Sequence, residues 1–152
     1  MKHPILGDIA LEGSSGNGLA RVLYGDRTID IRISEDEIPY DAAVDVAAAL
    51  VHELPVLDAK AKDIAAAALT DTYNNAWREY DEAREDGTLE AVSNPKLTPE
   101  EFKNKLALKA VHVTGNMLSF FYDNENMFDG HSVIVTSMDG IAFSKTDVEI
   151  FG

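Results

Sequence analysis

The sequence contains no cysteine, which removes disulfide frameworks, zinc–thiolate centres and thiol nucleophiles together. It is also poor in positive charge: 13 Lys and Arg stand against 27 Asp and Glu, a net charge of −14. That surplus repels a phosphate backbone or an anionic membrane, so nucleic acid and membrane are not expected as partners, whereas a basic protein or a cation is complementary. Long hydrophobic runs are missing too. No window reaches the roughly 18 apolar residues of a spanning helix. The opening MKHPILGDIALEG is interrupted by Pro4, Gly7 and Asp8 where a signal peptide has its apolar stretch. Together with the absent cysteines, this makes a cytoplasmic location the expectation.

What remains is ordinary for a folded chain: 152 residues, 45% hydrophobic and 26% charged, enough for one domain over residues 1–152 with its own core. Ile5, Gly7, Ile9 and Leu11 share one parity and suggest a first strand, after which Glu12–Gly18 reads as a loop. In LARVLYGDRTIDIRI, Gly25-Asp26 suits a two-residue hairpin turn, and Ile29, Ile31 and Ile33 alternate with Thr28, Asp30 and Arg32. The pattern then becomes helical. Asp41 is the expected cap of a helix carrying Val44, Ala47, Ala48, Val51 and Leu54 inward, closed by Pro55.

A second helix, with Asp58 near its start, should bury Ile64, Ala68, Tyr73, Trp77 and Tyr80 and run to REDG, where Gly87 can take a left-handed conformation. TLEAVSNPKL is a connector, and TPEEF has the form of a capping box with Phe102 and Leu106 following inward. Four strands then complete the chain, two of them around Gly115-Asn116. Strands, helices, strands in that order predict an α+β fold: three strands, three helices and four strands, a mainly antiparallel sheet with a central helical layer.

Two clusters carry candidate chemistry. In the first, Asp123, Glu125, Asp129 and His131 surround a loop and could turn several oxygens and an imidazole toward one divalent cation, or support hydrolysis. The spacing departs from the helix–loop–helix calcium pattern, because Met127 and Phe128 stand inside the loop as an apolar plug. Ser132 beside His131 would face the other side of a strand, and His52 lacks a second histidine at zinc spacing. In the second cluster, REYDEAREDGTLE presents Glu79, Glu82, Glu85 and Asp86 with Trp77 and Tyr80 one turn back, a contact suited to a basic protein.

FFYDNENMFDGHSVIVTSMDG, residues 120–140, followed by DVEIFG, resembles the end of an uncharacterised bacterial family of unknown function. The shared features are an aromatic run at Phe120–Tyr122, an acidic loop at Asp123–Asp129, Gly130-His131-Ser132, a β-branched strand and a last strand closing on Gly152. HPILGDIALEG is similar to that family's opening. The resemblance implies no activity and no cofactor; it implies a binding role of the bacterial immunity type. The expectation is therefore a non-catalytic acidic protein-binding module without a cofactor. A divalent-metal-dependent or hydrolytic enzyme and a structural homo-oligomer are the alternatives.

Overall fold

A computed structural model of the chain describes residues 2–12 and 17–152. The expected loop is thus described only at its ends; Ser14 and Ser15 lie outside the described residues. The strands are β1 (Lys2–His3), β2 (Gly7–Glu12), β3 (Asn17–Tyr24), β4 (Arg27–Ser34), β5 (Glu79–Ala83), β6 (Leu89–Ser93), β7 (Ala107–Thr114), β8 (Met117–Asp123), β9 (Ser132–Ser137) and β10 (Thr146–Phe151). Among the described residues three α-helices accompany them: α1 (Tyr40–His52), α2 (Leu54–Thr72) and α3 (Pro99–Asn104).

The fold is α+β, built on one large mixed sheet in the order β1-β2-β3-β4-β7-β8-β9-β10, with β5 and β6 forming a separate two-stranded ribbon. Each neighbouring pair in the large sheet is antiparallel except β4–β7, where Asp30–Ser34 runs parallel to Ala110–Thr114. The element order also differs from the expected three strands, three helices and four strands. The reason is topological: the helices and the ribbon form one long crossover from β4 to β7, and only such a crossover lets a strand return parallel.

The hairpin at Gly25-Asp26 forms as expected, with Tyr24 opposite Arg27 and Gly25 at φ 62°. Ile29, Ile31 and Ile33 are fully buried in one core with Val111, Val113, Leu118, Phe120, Val133 and Val135, where α1 packs on β4 and β7 and α2 on β9 and β10. The start of the chain differs from a simple alternating strand. Gly7 takes φ 71°, and the Nδ1 atom of His3 accepts the N–H groups of Ile5 and Leu6 at 3.1 and 3.3 Å. This turn exposes Ile5 and buries Leu6, and of the four residues of that parity only Ile9 enters the core. Gly18 belongs to β3, not to a loop; a Cβ there would collide with the Tyr40 hydroxyl.

Asp41 is not a cap. The extended residue before α1 is Pro39, and Asp41 lies in the first turn, where its charge favours the helix N-terminus. Pro55 sits in the first turn of α2, where a missing N–H costs nothing, so it starts the second helix as it ends the first. The buried stripe of α2 is Leu57, Ala61, Ala65 and Leu69, continuing into Tyr73, whereas Ala68 is exposed and Ile64 only half-buried. Thr98, Pro99 and Glu101 form the expected capping box, and Phe102 and Leu106 are buried.

Asp58 is a carboxylate inside this core. It accepts hydrogen bonds from Tyr122 Oη at 2.6 Å and Tyr24 Oη at 2.8 Å, with Lys62 Nζ 3.6 Å away. Burial, reinforced by the Asp58 charge, pushes the Tyr122 phenol above its ordinary value, and burial and the Asp58 hydrogen bond do the same for Tyr24. Removing the carboxylate in Asp58→Ala leaves these groups unmatched and is expected to cost about 3 kcal/mol in urea unfolding. Because both phenols titrate higher when folded, their contribution is complete below pH 10 and declines above it. Tyr122→Phe should flatten this alkaline loss, measured as unfolding free energy on either side of pH 10.

Candidate functional site

The 124–131 loop is built around backbone that few residues adopt: φ is 51° at Glu125, 62° at Asn126, 51° at Asp129 and 81° at Gly130. Short internal bonds hold it. Buried Asn124 donates from its side-chain Nδ2 to the His131 carbonyl at 2.7 Å, and its backbone carbonyl accepts the Met127 N–H at 3.1 Å. His131 gives its backbone N–H to the Phe128 carbonyl at 3.0 Å and its Nδ1–H to the same oxygen at 2.7 Å; a carbonyl only accepts, so Nδ1 carries a proton.

Met127 and Phe128 are buried, as the plug reading expects. The Phe128 ring meets Trp77, Tyr73 and Phe102 edge-on with centroids 5.3, 5.9 and 6.1 Å away, and Trp77 also meets His131 at 5.9 Å. The carboxylates of this segment do not gather. Asp123 turns to Lys109 at 3.5 Å and Arg27 at 3.6 Å, while Glu125 and Asp129 are exposed. Among the described residues no three His, Asp or Glu side chains stand close enough to share a metal ion.

Asp123, Glu125 and His131 border one shallow depression of about 320 Å³, which already holds the Lys109 ammonium, 3.0 Å from Ser132 Oγ.

The second cluster lies on different architecture from the one expected. Helix α2 gives way to a π-helical turn, Tyr73–Trp77, marked by the bond from Arg78 N–H to the Tyr73 carbonyl at 3.1 Å. This wider turn ends the helix, leaving the Asn74 carbonyl to accept the Arg78 Nε–H at 3.0 Å. The Asn74 side chain also clamps Leu97, accepting its N–H at 2.8 Å and donating to its carbonyl at 2.9 Å. The chain from Glu79 is then β5, not helix.

The reason lies in REDGT. Gly87 takes φ 83° inside a turn closed by Arg84 N–H to the Thr88 carbonyl at 2.8 Å, and Asp86 accepts the Thr88 N–H and hydroxyl at 3.0 and 2.6 Å. These two bonds hold the Asp86 carboxyl below its ordinary value. Gly87 therefore has the left-handed conformation expected of it, but in a hairpin. An Asp-Gly pair between LEAVS and the alternating EYDEA carries that hairpin signal, and helical spacing of the aromatics obscured it.

The consequence is a groove between the ribbon and the loop. About 390 Å³ in volume, it is walled on one side by Glu79–Ala83 and on the other by Asn126, Met127 and Asp129, with Ala76 and Trp77 at its base. A second depression of about 440 Å³ shares Trp77, Tyr80, Asn126 and Met127 with it and reaches Lys105 and Glu101. Of the residues expected to bind, Trp77, Glu79, Tyr80 and Glu82 line the groove, whereas Glu85 and Asp86 stand at the ribbon tip. Asp129 joins them from the other cluster.

The chain belongs to a family of uncharacterised proteins conserved in bacteria (DUF2262), whose family model matches residues 3–145. The match takes in the whole middle of the chain between the opening and the C-terminal segment that carried the resemblance, and it ends just before β10. No curated protein and no solved structure matches the chain. Among the described residues no helix is long and apolar enough to cross a membrane.

Phe128 is the contact through which groove and core communicate. Phe128→Ala is expected to cost about 3–5 kcal/mol in urea unfolding and to red-shift the emission of Trp77, the single tryptophan. An unchanged emission would show that Trp77 is positioned without it.

Proposed function

We propose that this chain is a non-catalytic, cytoplasmic protein-binding module that receives a basic segment of a partner, in a role of the bacterial immunity type. The observation that carries this reading is the groove lining. Glu79, Asp81, Glu82 and Asp129 bring carboxylates to the same cleft in which Trp77 and Tyr80 offer aromatic surface. Lys and Arg side chains gain from both, through ion pairing and through the faces of the rings. The net charge of −14 extends the attraction beyond the groove and speeds encounter with a positive partner. The mechanism is occupancy: a pre-folded acidic cleft covers the basic site on its target.

A hydrolytic reading at the 123–131 loop has one observation in its favour, the 3.0 Å contact between Lys109 and Ser132. The ammonium donates to that hydroxyl while facing the Asp123 carboxylate, an arrangement that does not withdraw the serine proton. A serine-reactive fluorophosphonate is expected to leave Ser132 unlabelled; labelling would replace the binding reading with the hydrolytic one.

For the binding reading, Trp77 emission titrated with a Lys-rich peptide should change saturably, with affinity falling as salt rises. Reversing Glu79 and Glu82 to Lys is expected to slow association about tenfold with the fold intact, whereas Glu85→Lys at the tip has a smaller effect. An equal on-rate in all variants would remove the groove from the interaction. The immunity role is tested separately, by whether co-expression protects cells from a toxic product encoded by a neighbouring gene.

A further inference from the structure

The ribbon has a backbone edge that no strand covers among the described residues. In the β5–β6 register Glu79 stands opposite Ser93 and Asp81 opposite Ala91. Bonds from Asn94 N–H to the Arg78 carbonyl and from Arg84 N–H to the Thr88 carbonyl, both 2.8 Å, mark 78–94 and 84–88 as hydrogen-bonded pairs. Such pairs alternate along an antiparallel ladder, so Tyr80 and Glu82 turn their N–H and C=O groups toward β6. Glu79, Asp81 and Ala83 turn theirs the opposite way, where among the described residues β5 has no second neighbour.

That open side is the groove. Its lining takes in every residue of β5 and none of β6, so it lies along the free edge, and the wall facing that edge is Asn126, Met127 and Asp129. Five residues of strand give an edge of about 17 Å, enough for a short extended segment. The two faces of β5 differ in chemistry. Tyr80 and Glu82 share one face with Val92 and Glu90, and Tyr80 borders a depression with Trp77, Met127 and Leu97; Glu79 and Asp81 share the opposite face with Ser93 and Ala91, where Ser93 Oγ donates to Glu79 at 3.3 Å.

We propose that β5 accepts a third strand: an extended segment of a protein partner that bears Lys or Arg at alternate positions. The backbone of Glu79, Asp81 and Ala83 supplies the hydrogen bonds. The basic side chains lie over Glu79 and Asp81, and the intervening residues rest on Tyr80 and Trp77. The charge of the edge selects this occupant over a second copy of the chain, because two acidic β5 edges repel one another. The inference rests on the groove being the site for a basic segment, and it adds how that segment is held.

The test uses a short peptide alternating Lys with Val and the same peptide N-methylated on alternate backbone amides, both titrated against the intact protein by Trp77 emission. Methylation keeps charge and side chains but removes the donors that would face β5. Binding of the parent peptide with at least about tenfold loss on methylation is the expected result. In the protein, Asp81→Pro removes an N–H that points away from β6, so it should weaken the parent peptide well beyond Asp81→Ala. Equal binding of the two peptides overturns strand addition and leaves the basic-segment reading standing; binding of neither overturns both. A dimer seen by light scattering and dissolved by Asp81→Pro would assign the edge to a second copy and overturn the peptide as its occupant.

Discussion

Asp58 joins the helical layer to both halves of the sheet. Its carboxylate sits on α2 and holds Tyr24 at the end of β3, in the first four strands, and Tyr122 on β8, in the last four. A buried carboxylate is costly unless its oxygens are occupied, and here two phenols and the Lys62 ammonium occupy them. A purely hydrophobic contact would let α2 slide across the sheet face. Directional bonds to two strands on either side of the single parallel junction allow one position only. The groove depends on that position, since the π turn continuing α2 sets where Trp77 and the ribbon begin.

Phe128 transmits the constraint to the surface. The loop carrying it is strained at three non-glycine positive-φ positions, and the strain is offset by burying Met127 and Phe128 among Tyr73, Trp77 and Phe102. The acids of the loop gained their positions as a by-product. Asp129 is brought to the groove, while Asp123 is drawn away to Arg27 and Lys109. A segment rich in metal-binding residue types is in this fold a shaped connection, and its side of the groove meets a ribbon from a distant part of the chain.

Much of the sheet was legible in the residues. Ile29, Ile31 and Ile33 alternate cleanly, Gly25-Asp26 and Gly115-Asn116 mark tight turns, and Thr98-Pro99-x-Glu101 specifies a helix start whose donors are satisfied locally. The candidate site was legible only in part. Trp77 and Tyr80 are three apart, which reads as one helical face, yet one residue ends a π turn and the other stands on a strand. Glu79, Glu82, Glu85 and Asp86 likewise look continuous in sequence, but a hairpin divides them between groove and tip.

Local features are written in the residues: which positions alternate, where glycines reverse the chain, that α3 begins with a capping box, that cysteine chemistry is absent and that acidic residues outnumber basic ones. These depend on neighbours a few positions apart, whose geometry is set by backbone sterics and hydrogen bonds. It took the packed chain to bring β4 and β7 parallel, Asp58 against two tyrosines, and the 79–83 and 126–129 segments to one groove. Those pairings lie tens of residues apart in the chain. They follow from how α2 packs across the sheet, and no local spacing encodes that geometry.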